Sequence, residues 1–210
     1  MFLNFCIFKQ MKIQDLLNIN VPVILASASP RRKQLLSLLG IKFTVEVADI
    51  DENCDTDIPP EAYCLNLAFK KAYAVAKNQS TESIIIGSDT IVVLDEQIIN
   101  KPVDASDAKQ ILRLLSNNTH HVYTGIAIVN SATKEWITNY QVTDVTFRKL
   151  TDSEIEAYVE SGSPLDKAGA YGIQDDFGAV FVQNINGCYY NIVGLPLEML
   201  YTTLLKFINR

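Results

Sequence analysis

Histidine occurs only twice in the 210 residues, as the adjacent pair His120 and His121, and the four cysteines, Cys6, Cys54, Cys64 and Cys188, contain no C-x-x-C spacing. That excludes a zinc signature and a disulfide framework, and such cysteine usage fits a reducing compartment. Positive charge is short as well. With 18 Lys and Arg against 24 Asp and Glu, the formal charge of −6 excludes a broad electrostatic grip on nucleic acid or anionic membrane, so any cationic site must be local. No apolar run approaches the roughly 18 residues needed to span a bilayer, and a cytoplasmic location is expected. The apolar start (Phe2, Leu3, Phe5, Ile7, Phe8) is short, lacks a basic lead and runs into Lys9, so it does not read as a signal peptide; Met11 is the expected natural start, with residues 1–10 an extension. Repeats and low-complexity linkers are missing. So are the glycine-rich phosphate loops, both G-x-x-x-x-G-K-[ST] and G-x-G-x-x-G after a strand; a phosphate site here must be built from side chains.

What is present, 48% hydrophobic and 20% charged residues, suits one α/β domain of ordinary size or two small lobes sharing a sheet. The ordering stretch is residues 21–39: a strand over 21–25, a turn Ala26-Ser27-Ala28, and a helix opening at Ser29-Pro30 with Leu35, Leu36, Leu38 and Leu39 as its apolar face before Gly40. Arg31 and Arg32 then place two cations in a first turn whose free N–H groups are already positive. An anion is the natural partner, since helix N-termini after strands bind phosphate and guanidinium matches it in paired hydrogen bonds. A solvated arginine pair is the alternative reading.

Residues 41–47 alternate as a half-buried strand, with Phe43, Val45 and Val47 on one side. An acidic connector over 48–57 carries Asp49, Asp51, Glu52, Asp55 and Asp57. A helix is expected from Pro59-Pro60 to Ala76, with Leu65, Ala68, Ala72, Val75 and Ala76 facing the core and Lys70 and Lys71 within it. Residues 83–94 read as two β-branched runs, both covered on two faces, flanking Gly87-Ser88-Asp89-Thr90. A carboxylate placed there must open onto a cleft, a cation or backbone donors, because burial without a partner costs several kcal/mol; a turn aspartate satisfied by neighbouring amides is the alternative. After a short strand at 97–99, Pro102 holds Lys101 extended.

A scaffold helix follows over 104–116, then strands over 122–129 and 135–147, and a helix over 152–161 announced by the capping box Thr151-x-x-Glu154. Six of the nine glycines lie at or beyond Gly162, which calls for tight loops in that part. Residues 177–185 and 188–193 suggest a hairpin through Asn186-Gly187, and Pro196 opens a last helix. Strands alternate with helices early and hairpins come later. The expected fold is therefore α/β, a mixed, bent sheet flanked by helices around a central cleft.

Arg31, Arg32, Lys71 and Lys101 with Glu52 and Asp89 are what polyphosphate hydrolysis asks for. A nucleoside triphosphate carries about four negative charges to be neutralised before a nucleophile approaches phosphorus, and the carboxylates either hold a divalent ion or take a proton from water.

The order of Leu25-Ala26-Ser27-Ala28-Ser29-Pro30-Arg31-Arg32, Gly87-Ser88-Asp89-Thr90, Lys101-Pro102, Thr124-Gly125, residues 166–174 (DKAGAYGIQ) and Gly194-Leu195-Pro196 resembles the Maf family of nucleoside triphosphate pyrophosphatases from about Val23 to the C-terminus. The resemblance implies residues 1–22 as an extension and lead-in and 23–210 as one Maf-like domain of two lobes. It implies cleavage between the α- and β-phosphates helped by a divalent cation, Mg²⁺ or Mn²⁺. Asp89 would be the catalytic carboxylate and, with Glu52, a metal ligand; Ser27, Arg31, Arg32, Lys71 and Lys101 would surround the phosphates. Arg31, Thr90 and Gln174 match the branch preferring dTTP and UTP, and the Gln174 amide complements O4 and N3–H of uracil or thymine. Asn100 stands where the family usually has glycine. No nucleic-acid or membrane partner is expected, and monomer and homodimer both stay open. A nucleotidyltransferase and a non-hydrolysing nucleotide sensor of cell division are the competing classes.

Overall fold

A computed structural model describes residues 13–52 and 58–210. Along the chain run α1 (Ile13–Leu17), β1 (Val23–Ala26), α2 (Pro30–Leu38), β2 (Thr44–Val45), α3 (Pro60–Lys77), β3 (Ile84–Leu94), β4 (Gln97–Ile99), α4 (Ala105–Leu115), β5 (Thr119–Asn130) and β6 (Trp136–Phe147). The remainder comprises α5 (Asp152–Glu160), two 3₁₀ turns (Ser163–Asp166 and Ala168–Ala170), α6 (Asp176–Phe181), β7 (Val182–Asn186), α7 (Tyr189–Val193) and α8 (Leu197–Ile208). The strands form one mixed sheet in the order β2-β1-β3-β5-β6-β7, with β4 on β3. The β1 pairings are parallel and the others antiparallel. The mixed α/β architecture expected from the alternation of patterns is what the chain adopts.

The long strand β3 divides the molecule. Its first part pairs with β1 as far as Gly87, its last part pairs with β4 from Val92, and β5 runs along its other edge throughout. Between those two partners, residues 88–91 have an open edge. On one side of this gap Ile84 and Ile86 pack with Leu36 of α2 and Leu200 and Leu204 of α8; on the other Val92 and Leu94 pack with Leu112 and Leu115 of α4 and Tyr158 of α5. Two apolar cores thus meet at the break, and the cleft between the lobes opens there. Leu17 and Ile19 of the lead-in are buried in the first core.

Helix α3 backs the sheet behind both lobes. It lies so close that a Cβ on Gly87 would sit 2.2 Å from the Ala68 carbonyl oxygen, and one on Gly125 would sit 2.6 Å from that of Cys64. Glycine is required at both positions by backbone approach, not by φ.

Four expectations need correction. The two runs expected within 83–94 form a single strand, β3, because all of its residues but Thr90 are buried and β5 supplies a continuous partner, so Asp89 lies within a strand rather than between two. The strand expected at 41–47 shrinks to two exposed residues on the sheet margin, with Val45 and Val47 in solvent, since no element among the described residues covers that edge. Leu38 is 64% exposed: two positions on from buried Leu36, it falls on the opposite face of α2. The hairpin at 177–193 is replaced by α6, β7 and α7. Phe177 and Phe181, one helical turn apart, both reach the Tyr158 ring, while the buried Asn191 amide of α7 donates to Val122 O and Thr143 Oγ1 across the sheet. Residues 1–12 and 53–57 are outside the described part, and with them the expected extension, Asp55 and Asp57.

Candidate active site

The open edge of β3 borders a cavity of about 450 Å³. Strand alternation sends Asp89 toward α3 and Thr90 toward α2, and both reach the cavity because no strand among the described residues covers that edge. Lys71, one turn beyond the Leu67–Ala68 contact of α3 with the sheet, is buried and donates to Asp89 Oδ1 at 2.7 Å. It also meets Glu52 Oε1 at 2.9 Å. Two carboxylates from distant segments thus converge on one ammonium. Burial pushes the Glu52 carboxyl up, but the Lys71 hydrogen bond and the charges of Lys71, Lys101 and Arg32 leave it below its ordinary value.

At the start of α2, Ser29 caps the helix by accepting from Arg32 N at 3.4 Å. The half-buried Arg32 guanidinium spreads across three elements: Nε to Gly194 O at 2.9 Å, Nη2 to Thr90 Oγ1 at 3.0 Å, Nη1 to Ser27 Oγ at 3.4 Å. Burial lowers its pKa while the Asp89 carboxylate raises it, with a net shift downward. Thr90 is fixed in turn by Thr124 Oγ1 at 2.9 Å. Ser27 is buried behind Arg32, also accepts from Ser29 N, and is not part of the cavity wall. Arg31 reaches the other lobe, pairing with Asp166 Oδ2 at 2.9 Å. Lys101, after β4, and Gln174, in the last quarter of the chain, complete the wall.

The cavity therefore gathers Arg31, Arg32, Glu52, Lys71, Asp89, Thr90, Lys101 and Gln174, with Ser27 in support. Sequence reasoning missed Asp166, Lys167, Asp175 and Tyr158. Asp166 and Lys167 sit in the DKAGAYGIQ segment, so their signal was in hand; the pairing of Asp166 with Arg31, 135 positions away, had none. Behind Asp89, burial first and the Asp89 charge second push the Cys64 thiol up to about 12, so it stays protonated and is no nucleophile. Among the described residues no group of three or more His, Cys, Asp or Glu gathers as a metal cage. Glu52 and Asp89, which both meet Lys71 Nζ, are the two carboxylates of the wall whose hard oxygen atoms could ligate a divalent cation.

The sequence profile of Maf-like proteins matches residues 22–207. The chain belongs to the Maf family. Relatives from Bacillus cereus (strain AH820) and Bacillus anthracis (strain CDC 684 / NRRL 3495), each named dTTP/UTP pyrophosphatase, are 48% identical over 185 residues, covering 88% of this chain and 95% of theirs. A solved structure of a HAM1 protein from Coxiella burnetii is 18% identical, with a TM-score of 0.50 over 89% of this chain and 99% of that one. That likeness shows the fold alone. Within the Maf match lie β1 to β7, every wall residue named above, and all but the last residue of α8.

Proposed function

We infer that this Maf protein hydrolyses dTTP and UTP between the α- and β-phosphates, giving the nucleoside monophosphate and pyrophosphate. The observation that carries the reading is the meeting of Lys71, Asp89, Glu52 and Arg32 in one cavity of a chain with net negative charge, together with close relatives bearing that activity's name. A chain of net negative charge offers an anion no general attraction, so a local gathering of Arg and Lys side chains is what a triphosphate requires.

Arg31, Arg32, Lys71 and Lys101 neutralise and orient the triphosphate. Asp89, an acceptor fixed by Lys71, takes the proton of a water whose oxygen forms the new bond to the α-phosphorus, while the bond to the α–β bridging oxygen breaks and pyrophosphate leaves with that electron pair. Glu52 and Asp89 are the residues that would hold Mg²⁺ or Mn²⁺, which supplies charge neutralisation on the leaving phosphates. Gln174 presents one donor and one acceptor to the pyrimidine edge. Free Cys64 and Cys188 fit a reducing, cytoplasmic setting, and no helix among the described residues is long and apolar enough to cross a membrane.

The test is pyrophosphate release by the purified protein from dTTP, UTP, dGTP and ATP, with and without chelator, beside Asp89→Asn. Expected are preference for dTTP and UTP, loss with chelator restored by Mg²⁺ or Mn²⁺, and a folded, nearly inactive variant. Full turnover by Asp89→Asn removes the mechanism; equal use of all four triphosphates removes the substrate assignment.

A further inference from the structure

Gln174 occupies the third position of a turn closed by Asp175 N donating to Gly172 O at 2.9 Å. Its neighbour Ile173 is buried in the second core, whereas Gln174 is exposed to the cavity. The turn is therefore pinned at its second residue and free at its third. What fixes its two ends is polar. Asp175 immediately precedes α6, where an aspartate ordinarily accepts from its own helix, yet it makes no such cap. Its Oδ2 accepts instead from Ser163 Oγ at 2.7 Å and Tyr158 OH at 3.2 Å, and lies 3.2 Å from Lys167 Nζ. The same Tyr158 hydroxyl accepts from Gly172 N at 3.1 Å, so one phenol ties both ends of the turn to α5. A Cβ on Gly172 would meet Asp175 Oδ2 at 2.6 Å, and one on Gly178 would meet Gly172 O at 2.0 Å, which leaves the turn no room to shift.

We propose that Asp175, with Tyr158 and Lys167, is a positioning residue that sets base selectivity by holding the turn that presents Gln174 to the nucleobase. The proposal rests on the reading of Gln174 as the base-recognising group. An amide discriminates between bases only if its donor and acceptor stand at fixed places; a turn free to rock lets it adapt to a purine. Asp175 and Tyr158 lie outside the cavity wall, so their loss should show in the choice of base more than in turnover.

The experiment measures kcat/KM for dTTP and for dGTP, with thermal midpoints, in wild type, Gln174→Ala, Asp175→Ala, Tyr158→Phe and the Gln174→Ala/Asp175→Ala double variant. Expected is a fall of about tenfold or more in the dTTP-to-dGTP ratio for Asp175→Ala, a smaller fall for Tyr158→Phe, and no further fall when Asp175→Ala is added to Gln174→Ala. A purely structural clamp would lower the midpoint and leave the ratio where it was. If Gln174→Ala collapses the ratio while Asp175→Ala and Tyr158→Phe hold it within about twofold, the positioning role is wrong and the base reading stands. If Gln174→Ala itself leaves the ratio unchanged, the base reading fails and this inference fails with it. Should Asp175→Ala not fold, Tyr158→Phe decides, since it removes one oxygen and keeps the ring.

Discussion

Lys71 Nζ stands 2.7 Å from Asp89 Oδ1, and the two side chains are only 11% and 10% exposed. The pair is asymmetric. Lys71 has a second carboxylate in Glu52, whereas the only hydrogen bond to the Asp89 carboxylate among the described contacts comes from Lys71. Lys71→Met therefore strands a carboxylate at the cavity wall, and Asp89→Asn strands nothing. The expected outcome in urea unfolding at neutral pH is a loss of roughly 2–4 kcal/mol for Lys71→Met and under about 1 kcal/mol for Asp89→Asn, with turnover nearly abolished in both. Equal stability losses would mean that Asp89 has other partners.

Gly87 couples this pair to the packing beneath it. A methyl group there would stand 2.2 Å from Ala68 O and 2.9 Å from Ala72 N, which are backbone atoms of α3 on either side of Lys71. Gly87→Ala must push α3 off the sheet, and Lys71 goes with it. Expected are a stability loss of about 1–3 kcal/mol and a fall in kcat larger than any change in KM. Unchanged kcat in a destabilised variant would show that the ammonium is positioned independently of the helix.

The sequence made the strand-turn-helix over 21–39 legible because caps, proline and leucine spacing act locally, and Thr151 with Glu154 forms the capping box expected of it. Asp89 was singled out for a sound reason, a carboxylate in an apolar stretch. Less readable was why it is accessible: the exchange of β1 for β4 along β3 depends on pairings between distant segments that no local pattern encodes. At 177–193, Asn186-Gly187 has the composition of a hairpin turn, but tertiary contacts of Phe177, Phe181 and Asn191 overrode it. The cations were found by type and order, and their partners, such as Asp166 for Arg31, were not.

Arg32 illustrates why charge alone does not specify such a site. Its three donors hold Gly194 O, Thr90 Oγ1 and Ser27 Oγ, which belong to the end of α7, to β3 and to the loop after β1. A lysine keeps the charge and loses the fork. Arg32→Lys is expected to lower kcat/KM for dTTP by about 10²-fold or more, and Arg31→Lys by about tenfold, since among the described residues Arg31 pairs with the exposed Asp166 alone. Near-normal kinetics for Arg32→Lys would reduce its role to a point charge.

His120 predicts a pH dependence of stability whose sign follows from burial. Fully buried, with Nε2 at 2.8 Å from Tyr171 OH and the Tyr171 and Phe147 rings against its own, it has its pKa pulled down to about 3, by burial first and by the neighbouring His121 second. Its ordinary value is 6.5, so between about pH 3 and 6.5 the unfolded chain takes up a proton that the folded chain refuses. Stability from this residue is then complete above pH 6.5 and drains away as pH falls, at a limiting slope of about 1.4 kcal/mol per pH unit. Urea unfolding at several pH values from 7.5 to 4.5 should give a wild-type slope steeper by about one proton than that of His120→Asn. The comparison uses slopes, so the constant loss from removing the ring and its Tyr171 bond cancels, and carboxylates contribute alike to both proteins. Parallel slopes would mean that His120 takes up its proton alike in the folded and unfolded chains, so that burial does not hold it neutral.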